Sequence, residues 1–188
     1  MTGWGWRGAV VTWGFAVALL LGGCGTAEPS EPPASPIDLR VEQHGFVLEV
    51  HLPSAAYPAT SAIPLETTFT FTGPGDSATL WGSGSGPVTF RYTELTGRRR
   101  EMGGVMTADC APHELQRNVP LVEPPGKSWA ASHDDPDHAF FLAWGDDPLL
   151  HLPAGTWRID VSAGGSTEPC VAGGVNVDLT IPITLTIQ

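Results

Sequence analysis

The sequence is poor in cysteine and in positive charge, and it has no apolar run long enough to cross a membrane comfortably. Cysteine occurs three times in 188 residues, which excludes a disulfide-dense scaffold. Lys and Arg number 9 against 20 Asp and Glu, a formal charge of −11. DNA and RNA are therefore excluded as partners, because binding them rests on basic side chains neutralising phosphates. Charged residues make up only 15%, whereas hydrophobic residues reach 41%. That is enough to build a core, so a wholly disordered chain is excluded too. No segment carries a convincing apolar stripe at helical spacing. Glycine and proline are abundant instead, at 23 and 18, and suit a chain broken by many turns.

The most apolar stretch runs from Gly8 to Leu21 and follows a short region whose one basic residue is Arg7. A spanning helix needs about 20 apolar residues, so this stretch has the length of a signal-peptide core. It ends in Leu21-Gly22-Gly23-Cys24. This phrase resembles the bacterial lipobox, a leucine and two small residues before a cysteine. The resemblance implies a diacylglyceryl group on the Cys24 thiol, cleavage before Cys24 and acylation of the new amino terminus. Residues 1–23 are then a signal peptide, and their removal leaves 8 of the 9 cations against all 20 acids, a balance of −12. The expected address is the cell envelope, with lipid at the membrane and the domain on the extracytoplasmic side.

Residues 24–36 hold the cysteine and a run rich in Pro, Ser, Ala and Glu with no large apolar side chain. Such a run cannot bury enough surface to offset the entropy of ordering and reads as a semi-stiff tether.

From residue 37 to 188 the pattern has period two. Phe46, Leu48, Val50 and Leu52 alternate with Val47, Glu49 and His51. Val88, Phe90, Tyr92 and Glu94 share one side of another segment. Val175 to Ile187 alternates strictly, with Pro182 marking an edge or a bulge. Further strands are expected at 65–72, 78–81, 104–110, 139–144 and 156–162. The fold class is all-β, an antiparallel sandwich of about eight strands. Leu152-Pro153-Ala154-Gly155-Thr156-Trp157 resembles the turn-into-strand phrase of bacterial immunoglobulin-like domains, and the layout loosely resembles proteinase-inhibitor-like envelope domains. These resemblances imply an immunoglobulin-like fold and carry no inhibitory residues across.

With Cys24 assigned to lipid, Cys110 and Cys170 remain, and an exported domain favours a disulfide between them. A metal site on this pair would need histidine partners, and none sits at short spacing from Cys170.

Catalytic motifs fail on inspection. His113-Glu114 opens like a zinc-protease helix, but Arg117 stands where the second histidine belongs. Gly126-Lys127-Ser128 ends like a phosphate loop, but Leu121 replaces its first glycine. Gly82-Ser83-Gly84-Ser85-Gly86 has turn chemistry and no helix behind it. His133-Asp134-Asp135-Pro136-Asp137-His138, with Asp146 and Asp147, is the densest metal-capable cluster, without an EF-hand pattern. The basic run Arg98-Arg99-Arg100 reads as a solvated hairpin tip. Trp81, Trp144 and Trp157 read as core, and Trp129 stays open between core and binding surface.

The expectation is a non-enzymatic, cofactor-free envelope lipoprotein whose sandwich binds or supports, with the membrane and a protein as partners. The two alternatives are a metal-binding protein using loop 133–147 and a proteinase-inhibitor-like module.

Overall fold

Alternation of apolar and polar residues is what builds both sheets. In the computed structural model, residues 35–170 and 174–188 are described. Cys24 and the leader lie outside them. Sheet A contains β1 (Ile37–Gln43), β2 (Phe46–Leu52), β4 (Glu66–Phe71) and β9 (Leu121–Glu123), in the order β1-β2-β4-β9 and all antiparallel. The β1–β2 turn is His44-Gly45, both at positive φ (53° and 77°). This is the backbone a two-residue hairpin loop requires. A side chain at Gly45 would also stand 2.7 Å from Gly73 Cα, so the position is closed to larger residues.

Sheet B is built on a long hairpin, β10 (Gly155–Ser166) and β11 (Asn176–Ile187). Their register runs unbroken from Gly155 opposite Ile187 to Ser166 opposite Asn176. Pro182 sits within it opposite Asp160, so no bulge forms. The other edge of β11 carries only β3 (Ala56–Tyr57), at Thr186 and Ile187, and the missing N–H of Pro182 costs no ladder bond there. β10 pairs with β6 (Val88–Glu94) along most of its length and with β5 (Ser77–Gly82) at Ser166. β7 (Glu101–Gly103) extends β6, and β8 (Ala111–Gln116) extends β5. Eleven strands form among the described residues, and the two- and three-residue β3, β7 and β9 account for the excess over about eight.

The two sheets bury one apolar layer between them. Phe46, Leu48, Val50 and Leu52 face inward from β2, and Trp157, Ile159 and Val161 from β10. β11 buries Val177, Leu179, Ile181, Ile183, Leu185 and Ile187, with every intervening residue exposed. The fold is an all-β sandwich. Gly155 opens β10 as the Leu152–Trp157 phrase implied, and Trp157, fully buried, donates Nε1–H to the Pro153 carbonyl at 2.8 Å.

Two expected strands do not form. Residues 139–144 lie in a helix, α1 (His138–Asp146). Phe141 and Trp144, three apart, turn into the core together, and nine residues are too few for a helical period to stand out. The other is 104–110, an irregular strap between β7 and β8. Gly104 N–H still donates to the Phe90 carbonyl of β6 at 2.8 Å, but beyond it the polar groups of the strap bond to neighbouring loops. Thr107 N–H donates to Ser85 Oγ at 3.3 Å, and Asp109 Oδ1 accepts from Gly84 N–H at 3.0 Å. The failed zinc-protease phrase at His113-Glu114 lies in β8, a strand with few buried side chains.

Candidate functional site

The loop that gathers acids and histidines in sequence disperses them in space. Asp137 accepts from Arg98 Nη1 at 2.6 Å and from Arg100 Nη2 at 3.2 Å. Burial pushes its carboxyl up, but the two guanidinium groups outweigh that and hold it below the usual carboxylate range. Asp147 bonds to His151 Nδ1 at 2.6 Å and accepts from Leu149 N–H at 2.8 Å. Those two bonds lower its carboxyl in turn, the backbone donor foremost. Asp134 and Asp146 point to solvent. His138 meets His133 edge-on at 5.0 Å and Trp129 at 5.9 Å. Among the described residues, no three His, Cys, Asp or Glu side chains converge as a cation would require.

The arginine run is a hairpin tip only in part. Arg98 is exposed, but the Arg100 side chain is 12% exposed and reaches inward to Glu94, which is 3% exposed. The guanidinium also lies 4.4 Å over the Phe140 ring. Arg100 is therefore a buried tie between the β6–β7 hairpin and α1, which corrects the solvated reading. One hint of it lies in the alternation of β6, which places Glu94 on the inward side, where a buried carboxylate requires a partner.

Lys127 is committed to structure as well. Its ammonium donates to the carbonyls of Trp144 at 2.9 Å and Asp147 at 2.7 Å, and also to that of Leu149. It thus closes the carboxyl end of α1, where orphan carbonyls and the helix dipole both favour a cation. Trp129, left open by sequence, is half-buried and stacks on Phe141 with ring centroids 6.0 Å apart. Trp144 and Trp157 are core, whereas Trp81 is only half-buried.

Cys110 and Cys170 form a disulfide with Cα atoms 5.8 Å apart, a separation well inside the usual range. The bridge pins the end of the strap to the segment linking β10 and β11.

Three surface clefts, of about 270, 280 and 270 Å³, open around the start of the strap. The first lies between β6 and Lys127-Ser128, with Val105 at its rim. The second lies on the outer face of sheet B, among Thr89, Arg91, Ser162, Thr180 and Met106. The third lies among Arg91, Glu101, Val105 and Trp129. Val105 and Met106 are each about half exposed, at 49% and 48%. Nothing in the sequence singled out this surface. Arg91 is an ordinary outward position of a strand, and the residues of the strap that frames it look like a further strand. No protein-family model matches this chain, and no curated protein matches it.

Proposed function

We propose that the chain is an envelope lipoprotein, anchored by lipid on Cys24, whose sandwich is a non-catalytic binding module. The observation that carries the reading is the use of the three cysteines. Two form the Cys110–Cys170 bridge, which fits an oxidising compartment, and Cys24 stands alone at the end of a lipobox-like phrase. The proline-rich segment after it supplies a spacer between lipid and domain. The non-catalytic part is supported by where reactive side chains are spent. Lys127 holds carbonyls, and the β8 residue His113 contacts the Ser83 carbonyl at 2.8 Å. The clefts around the strap offer hydroxyls, aliphatic groups, the cations Arg91, Arg158 and Lys127 and the carboxylates Glu101 and Asp160, a composition suited to holding a polar ligand.

The test is a chain with Cys24→Ala, expressed beside the unchanged one in a bacterium fed a labelled fatty acid. The unchanged chain takes up label and sediments with membranes, while Cys24→Ala does neither. Equal labelling of the two would defeat the anchor. Hydrolase or transferase activity of the purified chain on wall or peptide substrates would defeat the non-catalytic reading.

A further inference from the structure

The geometry points to Arg91 as the anion-binding centre of a site for an oligosaccharide that carries a carboxylate. This rests on the binding reading of the sandwich, but not on the lipid anchor. Arg91 stands on the outer face of β6, exposed, between two of the three clefts and lining both. Its guanidinium lies against Gly104 so closely that a side-chain carbon there would come within 3.3 Å of Nε. Gly104 has φ +69°, a backbone that glycine adopts at little cost. The strap thus reaches over the arginine at a glycine, where no side chain stands between them.

Arg91 makes no ion pair among the described residues. Asp160, its cross-strand neighbour, lines the near cleft together with Arg158, but its carboxylate is taken by Arg158 Nε at 2.7 Å, so that pair adds no net charge to the wall. Glu101 lines the far cleft and disfavours a second anion there. In a chain of formal charge −11, an uncommitted guanidinium framed by two clefts is the local feature that attracts an anion. The arginine fork suits a planar carboxylate.

The surroundings choose the rest of the ligand. Thr89, Ser162 and Thr180 present hydroxyls to the cleft, and Met106 covers it with an aliphatic wall. At about 280 and 270 Å³, each cleft falls just below the roughly 300–1,000 Å³ of whole-ligand pockets. Each therefore accepts one ring-sized unit, and a linear ligand spans both with its carboxylate at Arg91. An acidic peptide fits less well. β6 is paired with β10 on one side and, from Arg91 to Thr93, with β7 on the other. No edge is open at Arg91 for main-chain addition.

The probe is a hyaluronan tetrasaccharide, in which uronic acid alternates with N-acetylhexosamine, titrated into the full chain in detergent and followed by amide NMR. Saturable shifts at residues 89–91, 103–106 and 160–162 are expected. Carboxyl-reduced tetrasaccharide and Arg91→Gln should each weaken binding by about tenfold or more, the loss of a charge-assisted contact. Arg91→Lys should retain part of it, and added salt should weaken it. Unchanged melting of Arg91→Gln keeps the loss attributable to the site. No saturable binding, equal binding of the reduced sugar, or tighter binding of an aspartate-rich peptide would each overturn the proposal. The fatty-acid labelling of Cys24 is read separately, so the anchor can stand or fall without it.

Discussion

At the scale of single residues, polar side chains in this protein mostly hold the sandwich to its loops. Arg100 is the clearest case, because Glu94 beneath it is almost wholly buried. Removing the cation leaves a carboxylate in a low-dielectric site without its partner, which typically costs about 3–5 kcal/mol. Arg100→Met is therefore expected to lower unfolding stability by about 3 kcal/mol, measured by denaturant titration. A loss under about 1 kcal/mol would place the pair among ordinary surface bridges. Acid should act on a second set of groups. Asp109, Asp137 and Asp147 all hold carboxyls below the usual range: Asp109 through Thr107 and Gly84, Asp137 through its arginines against burial, Asp147 through Leu149 and His151. A depressed carboxylate contributes stability above its unfolded value, and this is lost as pH falls through the folded one. His51, raised by Asp38, has the opposite sign, and its contribution fades as pH rises above the ordinary imidazole range. Melting temperature should thus fall steeply below about pH 4 and only slightly above pH 7. A flat acid limb would contradict these bonds.

Elements were legible in the sequence wherever one face meets the core. β2, β6 and β11 could be read off because each alternates over six residues or more, and even the inward Glu94 followed from the period. α1 could not be. Its aromatics Phe140 and Phe141 look like a strand, and its carboxyl end is closed by Lys127, which lies before the helix in the chain. The strap at 104–110 was equally hidden, since its bonds to Ser85 and Gly84 depend on a distant turn. β8 escaped notice because little of it is buried. The same reasoning explains the candidate site. Arg91 is visible as a residue, but Gly104 and the clefts beside it exist only once the strap has folded back. The dependence of α1 on Lys127 can be measured. Lys127→Met should speed amide hydrogen exchange across residues 138–149 while leaving the β10–β11 hairpin protected. Equal loosening of both would mean that Lys127 supports the whole sandwich rather than one helix end.

At the scale of the whole molecule, two devices complement the apolar core. The first is the disulfide, which closes a loop of sequence separation 60. By loop-closure entropy such a bridge contributes roughly 4 kcal/mol at most. The second is the proposed anchor, which sets where the domain works without touching its fold. One measurement reads both: the intact mass of the chain extracted from bacterial membranes under non-reducing conditions. The expected chain begins at Cys24, heavier than its sequence by a diacylglyceryl group and by the acyl group on the new amino terminus, and lighter by two hydrogens for the Cys110–Cys170 bridge. A chain that keeps residues 1–23, or one that begins at Cys24 without lipid, would contradict it.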